Sequence, residues 1–438
     1  MGANGVTVDT LANYFSVSPG TAVQVGTSNP VASGNVDALT LDFGMVPSAR
    51  TFANVFQITN VSGATRTATL TVSSVPQIAS AVFASSGSGS VTLASGASTT
   101  LTVTTSPTVA GRGSGSVRLG LSGTSWLYRD YSLRIDEAPE APGAPTATQK
   151  PAGRIDLSWT ASVTTTNLAG YDVYRSSGAG YTKLTATPLT ATTYSDTATT
   201  DGTTYTYKVR AVSSGTPVLD SLDSTTVTAT ADATAPGQPT AIVLANGGGA
   251  GGAYVNGANT SSLDVSVSLP AGSLTTDTVL LTISNGGNSV TATHAGSAGA
   301  GTVTFSGLNV AGLGDGSLTL TATSTDAAGN VSTARTVTVS KDTVAPGAPT
   351  AAYMDNNNTA DQISGSAEAN ASITATKTSP APTSTYSTTA NGSGSYSLLV
   401  ATTNGKPNPP ITVTYTVTAT DAAGNTSAAT TLTYNDTK

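Results

Sequence analysis

One six-residue pattern punctuates the chain and limits what it can fold into. Ala-Pro-Gly-Ala-Pro-Thr occupies 141–146, Ala-Pro-Gly-Gln-Pro-Thr 235–240, and Ala-Pro-Gly-Ala-Pro-Thr 345–350. Successive copies begin 94 and 110 residues apart. Each follows an acidic residue: Asp136 and Glu137, then Asp232, then Asp342. Paired prolines fix φ and disfavour helix, so each copy reads as a short, stiff, extended linker. A period of about 100 residues is the length of one β-sandwich. Boundaries near 138, 234 and 343 divide the 438 residues into modules 1–138, 139–234, 235–343 and 344–438.

A second repeat lies inside the modules. Thr-Asp-Ala-Ala-Gly-Asn stands at 325–330 and again at 420–425, each time between two runs that alternate apolar and polar residues. Asp followed by Gly-Asn between period-two runs predicts a hairpin turn. Stretches such as Leu101–Thr104, Tyr205–Val212 and Leu263–Leu269 alternate in the same way, so nearly everything between the linkers reads as strand. The fold class expected is all-β: four tandem β-sandwich modules, immunoglobulin-like or fibronectin type III-like, in an extended array. Asp436-Thr437 repeats Asp342-Thr343, and the chain stops where a fifth module would start, the pattern of a cut in a longer array.

Composition fits that reading and removes many functions. There are 82 Thr and 53 Ser, while only 9% of residues are charged, against roughly 25% in an average soluble protein. Thr suits an outward position on a pleated strand without adding charge. The absence of Cys excludes disulfides, zinc-thiolate sites and a Cys nucleophile. A single His, His294, excludes a multi-histidine metal site and argues against a His-dependent triad. A net charge of −7 with no basic cluster argues against nucleic acid. No apolar run of about 20 residues occurs, so no membrane span is expected. The first ten residues lack the basic segment and apolar core of a signal peptide, and Val6 stands where a myristoylation motif needs Ser or Thr.

Three families are visible in particular residues. Ile155–Trp159, Tyr171–Arg175 and Asp201–Ala211 make residues 141–232 closely resemble a fibronectin type III domain. The resemblance implies that Trp159 is the core tryptophan and Tyr205 the tyrosine-corner residue. Leu41–Val46, Ile58–Gly63, Leu93–Gly96 and Ser106–Gly111 make residues 38–120 resemble the ASH-like sandwiches of bacterial choice-of-anchor D surface proteins. Residues 1–37 fall outside that resemblance, as an arm or an added strand. Ile363–Ile373, Gly392–Tyr396 and Asp421–Asn425 make residues 343–438 resemble the bacterial Ig-like repeats of large adhesins, and residues 235–342 look like a related repeat. Proteins carrying such arrays are typically secreted or surface-attached, which implies an extracellular location.

Candidate sites follow. The Ig-like resemblance implies calcium at linker and turn carboxylates, here Asp232, Asp326, Asp342 and Asp421. The other reading of the same residues is an Asx-turn, in which Asp caps its own backbone. No other cofactor is expected. Trp126, Tyr128 and Tyr131 form the densest aromatic stretch, either core packing or a sugar-stacking face beside Arg129 and Asp130. Asp220 with Asp223, and Asp355 with Asp361, are carboxylate pairs in expected loops, with nothing to single them out for glycoside hydrolysis. Gly247–Gly252 lacks the Lys-Ser/Thr of a phosphate loop and reads as a flexible loop. His294 reads as a surface residue.

These observations predict no enzyme. They predict a non-catalytic extracellular structural or adhesive surface protein, a rod of modules able to assemble into a filament or surface layer, with residues 1–37 as a strand donor. Its expected partners are other copies of itself, or cell-surface and extracellular glycans or proteins. The alternative is an accessory region, spacer or carbohydrate-binding, of a secreted polysaccharide-acting enzyme.

Overall fold

The computed structural model describes residues 14–19, 40–46, 50–125, 127–356, 360–400 and 411–436. It is all-β: 32 strands, with two single 3-10 turns at Pro151–Gly153 and Ala250–Gly252 the only described helical residues. The chain divides into two compact units, Met1–Ala233 and Thr234–Lys438.

The first unit opens with β1 (Phe15–Pro19), β2 (Thr40–Val46), β3 (Thr51–Phe52), β4 (Phe56–Asn60), β5 (Arg66–Val72), β6 (Ile78–Phe83), β7 (Ser90–Leu93), β8 (Ser98–Thr105), β9 (Gly111–Leu121) and β10 (Tyr128–Glu137). One sheet runs β1-β4-β8-β3, with β6 also on β8; the other runs β2-β10-β9-β5-β7. One core lies between them, with Phe15, Phe56 and Leu101 from the first sheet against Phe43, Leu119 and Leu133 from the second. Within the N-terminal 37 residues, β1 pairs antiparallel with β4 and buries Phe15 and Val17 in this core. The rest of that segment, apart from Tyr14, lies outside the described residues.

Next come β11 (Thr146–Gln149), β12 (Ile155–Ser158), β13 (Leu168–Ser176), β14 (Thr182–Lys183), β15 (Thr193–Asp196), β16 (Thr204–Ser213) and β17 (Val227–Thr230). They form the sheets β11-β12-β15 and β14-β13-β16-β17. Trp159 is buried between them, edge-on to Tyr171 at 5.7 Å. The Tyr205 hydroxyl accepts the Thr200 N–H at 2.9 Å, the tyrosine corner that the sequence implied. Tyr207 donates to the Asp196 carboxylate at 2.8 Å; burial and that bond push its phenol well above the usual range.

The second unit holds two further sandwiches. The first contains β18 (Ala241–Leu244), β19 (Tyr254–Val255), β20 (Leu263–Ser268), β21 (Thr278–Ser284), β22 (Ser289–Ala295), β23 (Thr302–Leu308), β24 (Gly316–Thr325) and β25 (Arg335–Lys341). Its sheets are β18-β20-β23 and β19-β25-β24-β21-β22. The second contains β26 (Ala352–Met354), β27 (Asp361–Ser366), β28 (Ser372–Ser379), β29 (Ser384–Thr389), β30 (Ser395–Val400), β31 (Ile411–Thr420) and β32 (Thr430–Asp436), in sheets β26-β27-β30 and β29-β28-β31-β32.

Alternation explains both the strands and the composition. Along β24 and β31 every second side chain is buried, and the intervening positions are largely Thr. Outward hydroxyls bond to their cross-strand partners: Thr67 with Thr92 at 2.8 Å, Thr59 with Ser98 at 2.7 Å, Thr204 with Thr230 at 2.8 Å. In the second unit the register lines these residues into rows. Thr291, Thr282, Thr321 and Thr336 face one another across four strands, as do Thr385, Thr376, Thr416 and Thr431. Such pairs contribute roughly 0.2–1 kcal/mol each. Hydroxyl bonding thus takes the outward role that Lys and Glu fill elsewhere.

The few charges are concentrated where a strand must be pinned. At the end of β10, Asp136 is nearly buried and accepts from Arg112 at 2.6 Å and Arg134 at 2.9 Å. The Arg112 guanidinium, with Arg134 beside it, holds the Asp136 carboxyl below its ordinary 3.8 against the opposing effect of burial. A depressed folded value means that the stabilisation is complete above the unfolded pKa and is lost as pH falls through the folded one. Asp136→Asn should therefore destabilise the first unit by about 2 kcal/mol at neutral pH. The difference from the parent should shrink progressively below pH 3.8 in denaturant melts at a series of acid pH values.

Candidate functional site: the joints between sandwiches

Inside the second unit, two sandwiches meet through a plug and a socket. The plug is the turn Asp421–Asn425. Asp421 Oδ1 accepts the Asn425 N–H at 2.8 Å and Oδ2 accepts Asn425 Nδ2 at 2.8 Å, so one asparagine engages both carboxylate oxygens. Asp326 and Asn330 repeat this bonding at 2.8 and 2.9 Å in the preceding sandwich. The repeated sequence therefore encodes the same closed Asx-type turn twice.

The socket is built from the segment between β18 and β20. Asn259 Nδ2 donates to Asn246 O at 2.9 Å, and its Oδ1 accepts the Asn256 N–H at 2.8 Å. Asn256 Oδ1 in turn accepts the Ala258 N–H at 3.1 Å. Thus held, Asn256 donates from Nδ2 to Ala423 O at 2.8 Å, and the Gly257 N–H donates to Asn425 Oδ1 at 2.9 Å. Asn425 Nδ2 also donates to Asp342 O in the linker at 2.9 Å, and the Asp342 N–H donates to Val255 O at 2.8 Å. Asn425 thereby ties its own turn, the linker and the neighbouring sandwich together.

Gly247–Gly252 is not the flexible loop expected. Gly248 and Tyr254 exchange backbone hydrogen bonds at 2.7 and 3.2 Å, and the plug packs directly on this backbone. A Cβ on Gly248 or Gly249 would collide with Ala423 O or Ala422 O, and Gly249 has φ +71°. Glycine is required here because another backbone approaches too closely for any side chain. Sequence reasoning also missed Asp315, whose carboxylate anchors the same linker. It accepts the Thr343 N–H at 3.0 Å and Lys341 Nζ at 3.1 Å, and the Thr343 backbone bond, with Lys341, holds its carboxyl below the ordinary value. A Lys-Asp-Thr sequence just before an Ala-Pro linker was the only signal available.

Inside the first unit a second joint uses backbone pairing. Thr165 and Thr166 N–H groups both point to Thr108 O at 3.1 Å, and the Ala110 N–H donates to Thr166 O at 3.1 Å. Thr164 Oγ1 donates to Pro107 O and Asn167 Nδ2 to Ala110 O, both at 2.8 Å. Asn167 adopts φ +60°, a conformation in which Asn is tolerated better than most residues. Both joints are built of amides, hydroxyls and backbone, with no ion pair crossing between sandwiches among the bonds described.

The other sequence candidates separate. Asp342 and Asp421 are bridged by Asn425, Asp326 sits in its own turn, and Asp232 belongs to the first unit, where its carbonyl accepts the Gly153 N–H. Calcium needs six to eight oxygens. The turn carboxylates already accept two N–H groups each, and no cluster of three or more His, Asp or Glu able to hold a metal occurs among the described residues. The carboxylates of Asp326 and Asp421 are thus engaged by their own turns. His294 is exposed on β22, with Nδ1 2.6 Å from Ala295 O and its ring edge-on to Phe305. Trp126 lies outside the described residues. Tyr131 is core, but Tyr128 is 44% exposed and is covered by the Arg118 guanidinium at 3.8 Å, so the aromatic stretch is not all core packing. Asp361 opens β27 rather than lying in a loop and is buried, accepting the Asn356 N–H at 3.2 Å. Asp220 and Asp223 both pair with Arg210, at 3.6 and 2.6 Å, and Asp223 also binds Lys208 at 2.7 Å.

Fold and joints define a class: tandem immunoglobulin-like and fibronectin type III-like β-sandwich modules. Residues 345–436 match the bacterial Ig domain family, Big_6. Chitinase 63 of Streptomyces plicatus is 37% identical over 99 residues, 23% of this chain and 15% of that protein. Chitinase A1 of Niallia circulans is 33% identical over 202 residues, 45% of this chain and 25% of that protein. The chain thus spans a quarter or less of the length of these relatives. A solved Fn3-like protein from Clostridium thermocellum is 34% identical, covering 21% of this chain and 91% of its own, with a TM-score of 0.18.

Two outcomes test the joint. Asn425→Ala should lower the stability of the second unit by roughly 2–3 kcal/mol, because it strands the Gly257 N–H and one Asp421 oxygen. The loss should be the same at low and high salt, since no ion pair crosses the seam among the described residues. Melting with calcium and with EDTA should coincide, because an ion bound only to the folded state must raise the melting point.

Proposed function

We propose that the chain is a non-catalytic structural or adhesive part of an extracellular protein, in which tandem sandwiches space and display whatever they are joined to. The proposed modules are 1–138, 139–234, 235–343 and 344–438, with residues 38–120 as the ASH-like sandwich. The observation that carries the reading is the plug and socket. Asn256, Gly257 and Asn425 spend their hydrogen-bonding groups on fixing one sandwich against the next, and leave no converging set of reactive groups there. The bacterial Ig match over 345–436 supports an extracellular setting.

The test is geometric. The chain has no Cys, so paired spin labels at Ser317→Cys and Thr389→Cys report only the chosen distance. A narrow distribution is expected, broadened by Gly249→Val. A distribution already broad in the parent would overturn the spacer reading.

A second reading has its own support in the chitinase relatives: an accessory region of a secreted polysaccharide-acting enzyme. In its carbohydrate-binding form it requires retention on a chitin or polysaccharide column. Tyr128 and Tyr181 are exposed rings beside Arg118 and Lys208, and retention lost on Tyr128→Ala or Tyr181→Ala would favour this reading over the first. The expected result is passage without retention and without hydrolysis.

A further inference from the structure

Edge strands are where sheets recruit other sheets, and natural proteins blunt them with charge, proline, bulges or short length. In the second unit one side of each sandwich has almost none of these guards. β22 and β23 lie beside one another as edges of their two sheets, and β29 and β30 do so in the next sandwich. None of the four contains a charged residue or a proline. The opposite edges are short in β18, β19 and β26, or end at Asp436 in β32.

Among the unguarded strands β22 is the most open. It is seven residues long and pairs in register along its whole length with β21. Among the described residues no strand pairs with its outer side. β23 carries a bulge where it meets β20, and β29 follows Pro380 and Pro382. In an antiparallel pair, alternate residues direct both N–H and C=O to the same side, so β22 presents a row of backbone donors and acceptors outward.

We infer that β22 is a self-association edge, pairing antiparallel with β22 of a second copy about a two-fold axis at Ala292. The sequence Ser-Val-Thr-Ala-Thr-His-Ala is suited to this. Placing Ala292 opposite itself sets Thr291 opposite Thr293 of the second copy, on the exposed face, and Val290 opposite His294 on the other. The Thr pair extends across the seam the row of threonines that already runs from Thr336 through Thr321 and Thr282 to Thr291. The protein's own strands show the same hydroxyl pairing at 2.7–2.8 Å, in Thr59 with Ser98 and Thr67 with Thr92. A second copy is the partner whose edge has this sequence in the required direction. The inference rests on the structural reading above and names its partner and strand.

A charge exchange tests the edge and its register together. Thr291 and Thr293 are exposed, so their replacement should lower the melting of the monomer only slightly, by the small contribution of a cross-strand pair. Thr291→Lys with Thr293→Lys places like charges opposite one another twice and should weaken self-association in sedimentation by roughly tenfold or more. Thr291→Lys with Thr293→Glu places Lys opposite Glu in both halves and should restore it. Equal weakening by both variants, or no association of the parent chain, would overturn the inference. The spacer reading would survive either result, since its own test is the label distance within one copy.

Discussion

Asn425 shows how little this chain uses to join its parts. One carboxamide closes the turn on Asp421, holds the linker at Asp342 and receives the Gly257 N–H of the neighbouring sandwich. Everything around it is arranged so that these bonds form. Asn246, Asn256 and Asn259 shape the socket, and Gly248 and Gly249 remove the side chains that would keep the turn out. Buried polar groups are costly unless fully bonded, so such a network either forms as a unit or destabilises the seam.

The same economy governs the sheets. With few Lys or Glu, outward positions are filled by hydroxyls that bond across strands, and the remaining charges act as local pins. Asp136 secures the last strand of the first sandwich, Asp196 receives both Arg175 and Tyr207, and Asp315 holds the linker that leads to the plug. Surface ion pairs in general contribute little. These differ because one partner is withdrawn from water or carries several bonds.

Much of the fold was legible in the sequence because period-two alternation is local. The places of Trp159 and Tyr205 were legible through the resemblance of residues 141–232 to a fibronectin type III domain, and the structure puts both there. The paired turns at Asp326 and Asp421 were legible as turns, and their Asx-type closure follows from Asp and Asn four residues apart. What stayed hidden depends on long-range approach. Gly247–Gly252 looks flexible until the turn some 170 residues later is seen packing on it, as the separation of Asn256 from Ala423 shows. Tyr128 looks like core because its neighbours are aromatic, yet its position on β10 turns it outward beneath Arg118. Asp361 sits among Asn residues that suggest a loop, but β30 pairs with it and buries it.

A plug that contacts its neighbour through backbone carbonyls, backbone amides and two asparagines is indifferent to almost all of that neighbour's side chains. The third sandwich carries the same five-residue turn, Asp326–Asn330, closed by the same two bonds. Duplication, deletion or exchange of whole sandwiches would therefore preserve the fit wherever the glycines and asparagines travel with them. A sandwich that carries both this socket and this turn could be repeated without a new interface having to evolve.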